Sequence, residues 1–267
     1  KFVIDQKALA VLPNLKYIVV AATGFNNIHL DAVKERKIPV SNVRGYSTTS
    51  VVQQVFASLL EVLNKPSWYF DQVNKKRWVN CPDFCFIDHS IRELSTLTLG
   101  IIGFGQIGSK LAEVGLSMGM KVLAYNKSKK QAQGVDFTRS LDDLLSQSDV
   151  VSLHLPLSDE SRAMINQNTL TKMKDNAILI NTGRGPLIDE NELSQHLKAN
   201  PAFTAILDVL TQEPPPLDHP LLGLPNCHIT PHIAWASTKA RQQLVNGIAQ
   251  NIANFRKGVW ENRIYEF

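Results

Sequence analysis

The stretch Leu97-Thr98-Leu99-Gly100-Ile101-Ile102-Gly103-Phe104-Gly105-Gln106-Ile107-Gly108-Ser109-Lys110 decides the fold. An apolar, β-branched run enters glycines spaced G-x-G-x-x-G, and a helix-compatible segment follows. In such a strand–turn–helix unit Gly103 permits the tight turn and Gly105 lets the backbone approach a pyrophosphate. Gly108 lets the helix pack closely on the strand, and the helix N-terminus then faces the phosphates. With 14 glycines in 267 residues the spacing alone is weak, since an ordinary βα turn can share it. The strand before and the helix after make it a dinucleotide signal.

Outward from that turn the rhythm is regular. Apolar runs at 121–125, 150–155, 177–181, 204–208 and 227–230 read as strands, with a helix near 140–146 and a last long helix over 237–256. Upstream, 17–22 and 39–43 read as strands, 33–37 as a helix end, and 47–63 as a helix opened by Ser/Thr caps. Short apolar runs alternating with amphipathic stretches predict βαβ units and a doubly wound parallel sheet, an α/β fold. Residues 65–92 read as an irregular, aromatic-rich segment interrupted by Pro66 and Pro82. A loop of that length is expected to be functional or an interface arm.

Bulk numbers narrow the class. A hydrophobic fraction of 44% with 19% charged residues is that of a soluble globular protein with a sizeable core. The net charge of +4 is mild, and no basic block resembles a nucleic-acid arm. No apolar run approaches the roughly 20 residues that span a bilayer, and nothing resembles a signal peptide. Three cysteines argue against a disulfide framework and for a reducing, cytoplasmic setting. Cys81 and Cys85 lack a second ligand pair at zinc spacing, so no metal is expected.

Ligands of a doubly wound sheet sit beyond the carboxyl ends of the strands. Asn181-Thr182-Gly183-Arg184-Gly185 puts a guanidinium on a flexible turn there, suited to hold a carboxylate bidentately. Asp208-Val209-Leu210-Thr211-Gln212-Glu213-Pro214 supplies two carboxylates after one strand, and Thr230-Pro231-His232 a histidine after the next. A histidine fixed by a carboxylate suits acid–base work near neutrality. Taken singly, His232 reads more often as a structural histidine, and a surface arginine is the alternative reading of Arg184; on a nucleotide-binding sheet the set points to catalysis.

These residues resemble the D-isomer-specific 2-hydroxyacid dehydrogenases over nearly the whole chain. Within that family the likeness is to glycerate dehydrogenases, also called hydroxypyruvate reductases. It is carried by Ala22-Thr23-Gly24-Phe25-Asn26-Asn27, Gly45-Tyr46-Ser47-Thr48-Thr49-Ser50-Val51 and Thr230-Pro231-His232-Ile233-Ala234-Trp235-Ala236-Ser237. The resemblance implies NAD(P)H-dependent reduction of hydroxypyruvate or glyoxylate to D-glycerate or glycolate. His232 would exchange a proton with the substrate oxygen, and Glu213 would pair with it. Arg184 would hold the substrate carboxylate, helped by backbone N–H groups near Thr23 and Gly24. Asp208 would bond the nicotinamide carboxamide, and Gln106 and Ile107 would line the pyrophosphate. Leu155 with Pro156, and Thr182 with Gly183, would flank the adenosine and nicotinamide portions. The chemistry agrees: reducing a 2-keto acid needs a hydride donor, an acid for the oxygen and a cation for the carboxylate.

The resemblance also implies a Rossmann-like dinucleotide domain over 46–236. A smaller flavodoxin-like α/β substrate domain would combine 1–45 with 237–267, its N-terminal part missing from this chain. Trp68-Tyr69-Phe70 and Trp78 read as a homodimer arm or as local packing. Asn126 stands 18 residues past Gly108, where an NAD enzyme usually carries an acid for the ribose 2′-hydroxyl. Lys127, Lys129 and Lys130 follow, so the charge argument leaves NADP and NAD even, and the alternative reading of the lysines is a solvated basic loop. Two rivals share the fold: a nucleotide-sensing corepressor and a formate-oxidising enzyme, the latter disfavoured because formate oxidation needs no proton-transferring histidine.

Overall fold

The structure, a computed structural model, describes residues 2–128 and 130–265; Lys129, weighed above for cofactor choice, lies outside the described residues. The chain divides into two compact units. One takes the residues up to Ser50 together with those from Trp235 on, and the other is Val51–Ala234.

The smaller unit opens with α1 (Gln6–Ala10), β1 (Ile18–Val20), α2 (Leu30–Glu35) and β2 (Val40–Asn42). Asp5 caps α1 by accepting from the Ala8 N–H. β1 and β2 pair in parallel with Ile18 opposite Val40, over a core of Leu9, Ile28, Val33 and Ile38.

The larger unit takes up α3 (Thr48–Asn64) from Val51. Val51, Val52, Val55, Phe56, Leu59 and Leu63 recur at helical spacing and are buried, which explains why this segment is a helix. α4 (Pro66–Asn74) follows, and it corrects the expectation of an irregular segment broken at Pro66. Proline lacks an N–H that the first turn does not need, and its fixed φ suits that position, so Pro66 begins a helix here.

Then come β3 (Thr98–Ile102), α5 (Gln106–Ser117), β4 (Lys121–Tyr125), β5 (Val135–Phe137), α6 (Leu141–Gln147) and β6 (Val150–Leu153). The series continues with α7 (Gln167–Leu170), β7 (Ile178–Asn181), α8 (Glu190–Ala199), β8 (Thr204–Leu207) and β9 (Cys227–Ile229). α9 (Thr238–Arg256) returns to the smaller unit, where the Asn251 amide donates to the Asn42 carbonyl. The sequence reading placed the long strands and α9 within a residue or two, but left out α1, β5, α7 and α8.

β3 to β9 form one parallel sheet in the order β5-β4-β3-β6-β7-β8-β9. Leu99 and Ile101 of β3 pack with α3 and α5, while Ile102 belongs to the other core with Leu153, Leu179 and α6 and α8 residues. A parallel sheet needs cover on both faces, and these two cores supply it. The winding reverses between β3 and β6, so the switch-point crevice lies at their carboxyl ends. Among the described residues no helix is long and apolar enough to cross a membrane.

Candidate active site

The glycine-rich turn sits at that switch point. Gly103 adopts φ +96°, and a Cβ on it would lie 2.7 Å from the His154 carbonyl oxygen. Gly108 is equally constrained, since a Cβ there would meet the Gly103 oxygen at 2.2 Å. Gly105 is the opposite case: a Cβ would find nothing within 4 Å. It is the N-cap of α5 and offers no side chain, so the first N–H groups of the helix, from exposed Gln106 and half-buried Ile107, have no capping oxygen. Uncapped N–H groups at a helix start suit an anion.

Asn126, at the end of β4, is tied to the turn. Its Oδ1 accepts from the Phe104 N–H at 3.0 Å, and its amide donates to the Ser128 carbonyl and hydroxyl. Lys127 forms an exposed ion pair with Glu160, and the ammonium holds the Glu160 carboxyl below its usual range. Leu155 and Pro156 follow β6, the Pro156 carbonyl accepting from the Ser161 hydroxyl at 2.8 Å.

After β7, the buried Asn181 side chain braces the next turn at both ends. Its oxygen accepts from the Gly183 N–H at 3.0 Å and its amide donates to the Arg184 carbonyl at 2.8 Å. The Thr182 hydroxyl is buried in this turn with no protein partner. Arg184 is half-buried, with Nη1 donating to the Gly183 carbonyl at 2.6 Å. Gly185 then presses on the next strand-end loop: a Cβ would lie 2.0 Å from the Leu210 carbonyl carbon. The Arg184 turn and the loop bearing Glu213 are therefore in backbone contact.

Asp208 is only 3% exposed, and its carboxylate is built into the backbone of the histidine loop. Oδ1 accepts from the Thr230 hydroxyl at 2.6 Å and the Ile233 N–H at 2.9 Å, and Oδ2 from the Ala234 N–H at 2.9 Å. The Asp208 carbonyl accepts from the His232 N–H at 2.8 Å. Within this clamp His232 takes φ +55°, a left-handed conformation uncommon for a non-glycine residue. Its Nδ1 lies 2.7 Å from Glu213 Oε2, and Glu213 Oε1 accepts from the Leu210 N–H at 3.2 Å. With Nδ1 facing the carboxylate, Nε2 is the ring nitrogen left for proton exchange.

The nucleotide and acid–base residues expected from sequence all lie in the larger unit, in the loops that follow its strands or, for Gln106, Ile107 and Gly108, in the first turn of α5, and Glu213 and His232 are in direct contact. Thr23 and Gly24 belong to the smaller unit, where the Thr23 hydroxyl donates to the Val43 carbonyl at 3.0 Å. His154, next to the glycine turn, bonds Ser152 at 2.9 Å, and burial pushes its pKa down from 6.5 to about 4. Sequence reasoning missed the buried His219 and the half-buried Glu190 paired with it, next to the Glu213 loop. The helix-start pattern Asp189-Glu190 was the available signal.

Comparison with known proteins gives the family and the fold. The model of the D-isomer specific 2-hydroxyacid dehydrogenase NAD binding domain matches residues 56–234. A hydroxypyruvate reductase of Blautia hydrogenotrophica is 42% identical over 248 residues, which cover 92% of this chain and 77% of that protein. A D-lactate dehydrogenase from Aquifex aeolicus, solved with NAD and lactic acid, superposes with a TM-score of 0.86 at 35% identity, covering 96% of this chain and 80% of that one. An acyclic imino acid reductase solved with NADPH and D-Arg gives 0.89 at 32% identity, covering 99% and 83%.

Proposed function

The chain belongs to the D-isomer-specific 2-hydroxyacid dehydrogenase family, and on that premise we propose that it reduces hydroxypyruvate or glyoxylate to D-glycerate or glycolate. The reading is carried by the Glu213–His232 contact at 2.7 Å on the strand ends of a dinucleotide-type sheet. The residues present fit a nicotinamide dinucleotide: α5 begins without a capping side chain beside open space at Gly105, and the Thr182 hydroxyl is buried unpartnered. The N–H groups of Gln106 and Ile107 would take the pyrophosphate, Leu155 and Pro156 the adenosine side, and Thr182 and Gly183 the nicotinamide side. Asp208 uses three of its roughly four acceptor positions, leaving capacity for a carboxamide N–H. When bound, the reduced nicotinamide supplies the hydride that adds to the substrate carbonyl carbon.

His232 Nε2 gives its proton to the carbonyl oxygen, so the new alkoxide never has to exist free. Glu213 fixes the ring and faces the positive charge on the protonated imidazole. Arg184 holds the substrate carboxylate in its planar fork and thereby orients the carbonyl. NADH and NADPH oxidation with hydroxypyruvate, glyoxylate, pyruvate and 2-ketobutyrate tests the assignment. Turnover is expected with the first two, and His232→Ala should lower it by about 10²–10⁴-fold. A variant turning over like the parent would overturn the reading.

For the cofactor we propose that NADPH is accepted at least as well as NADH, because the end of β4 carries an amide in place of a carboxylate. A carboxylate there would repel a 2′-phosphate. Asn126→Asp should move the kcat/KM ratio toward NADH by about 5- to 150-fold, the span of a 1–3 kcal/mol coupling; an unchanged ratio places discrimination elsewhere. We also propose a homodimer formed through the arm that follows α3.

A further inference from the structure

We propose that Glu190 and His219 are a positioning pair that sets the Glu213 loop, and through it His232, for proton transfer. The inference rests on the reading of His232 as proton donor. Glu190 is the first residue of α8, after the N-cap Asp189. Its Oε1 accepts from the Thr211 N–H at 2.7 Å, two residues before Glu213. Its Oε2 lies 3.2 Å from His219 Nε2, with the two side chains only 13% and 5% exposed. His219 Nδ1 faces the Leu221 N–H at 3.4 Å and so acts as acceptor, which leaves Nε2–H to donate to Glu190.

One carboxylate therefore bridges the loop carrying the proton donor's partner and a histidine in the proline-rich segment beyond it. The other side of the same loop is fixed by Gly185, whose backbone abuts Leu210 and Thr211 directly after Arg184. The loop is gripped from two sides, and the residue between the grips and His232 is Glu213. The further titratable group near Glu190 is Cys227, whose thiol is pushed up to about 12 by burial first and Glu190 second. It stays neutral across the working range.

A carboxylate largely shielded from water and held by two donors resists movement, since losing either leaves a costly unpaired group. Displacements of about 1 Å at a catalytic group can cost about 10²-fold in rate. The test compares His219→Leu, His219→Gln and Glu190→Gln in the full chain, each also combined with Glu213→Gln. Glutamine at 219 can place an amide N–H near the imidazole Nε2 position, whereas leucine cannot.

His219→Leu is expected to lower kcat roughly tenfold while the NAD(P)H dissociation constant, read from nicotinamide fluorescence, is unchanged. Its pH–rate profile should change in the same direction as that of Glu213→Gln, and His219→Gln should recover most of the rate. In the Glu213→Gln background His219→Leu should cost little more, because both act through the same contact. If His219→Leu does not fold, Glu190→Gln carries the same expectations of lowered kcat and lost additivity. An undiminished cost in the Glu213→Gln background, or parental kcat in both His219→Leu and Glu190→Gln, overturns the proposal. Parental turnover in Glu213→Gln and His232→Ala would instead overturn the proton-donor reading on which it rests.

Discussion

Asp208 shows how much one side chain can organise. The family resemblance implies a cofactor contact for it, and within the protein its oxygens accept from the hydroxyl of Thr230 and the N–H groups of Ile233 and Ala234. Those bonds hold His232 in its left-handed conformation, a strained state that persists only where its surroundings over-determine it. Asp208→Asn keeps the shape but turns an amide nitrogen toward backbone donors. It is expected to destabilise the protein by about 1–3 kcal/mol, the cost of an unsatisfied buried donor, and to lower kcat. Urea unfolding and turnover measure the two effects; parental values in both would mean the clamp is idle. This role was not legible in sequence, because the donors lie 22 to 26 residues further along the chain.

Among the elements, those whose signal is local were readable. The glycine turn, the apolar strands and the Ser-capped α9 each declare themselves within a dozen residues. α4 was misread because proline is both a helix breaker and a helix starter, and only its position in the turn decides. α8 was overlooked because its polar surface weakens the apolar stripe, although Asp189 caps it through the Asn191 and Glu192 N–H groups. With α8 went Glu190 and His219, which lie 29 residues apart in sequence.

In the arm after α3 local packing of the aromatics is visible. Trp68 packs edge-on against Tyr69 and His89, while Arg77 pairs with Asp88 and lies 4.4 Å from the Phe86 ring centre. Outward it leaves Val79 78%, Phe84 88% and Ile87 75% exposed. Exposed apolar side chains in one segment suit the proposed dimer contact. The proposed dimer predicts that replacing Val79 and Phe84 by Asp shifts the mass measured by light scattering from two chains to one. An unshifted parental dimer would place the contact elsewhere.

For the whole molecule, buried histidines tie stability to pH. His154 takes its proton at about 4 when folded and near 6.5 when unfolded. Between those values the unfolded chain binds more protons, so stability is full above the upper value and falls as pH drops toward the lower one. The loss is about 1.4 kcal/mol per pH unit and at most about 3 kcal/mol in all. His196, also buried and lowered by that burial, acts with the same sign. Melting temperatures between pH 7 and pH 4.5 should fall, and fall less in His154→Gln; equal slopes would remove His154 from the account.

The order of the large sheet carries a last consequence, for recombination and engineering. From β3 the chain winds outward through β4 and β5, then resumes on the other side from β6 to β9. The first leg holds the glycine turn and Asn126, while the second holds Arg184, Asp208, Glu213 and His232. A crossover near α6 would therefore exchange the glycine turn and Asn126, the residue on which the proposed coenzyme preference rests, while leaving Arg184, Asp208, Glu213 and His232 together, with Lys127–Glu160 as the ion pair to be rematched across the seam.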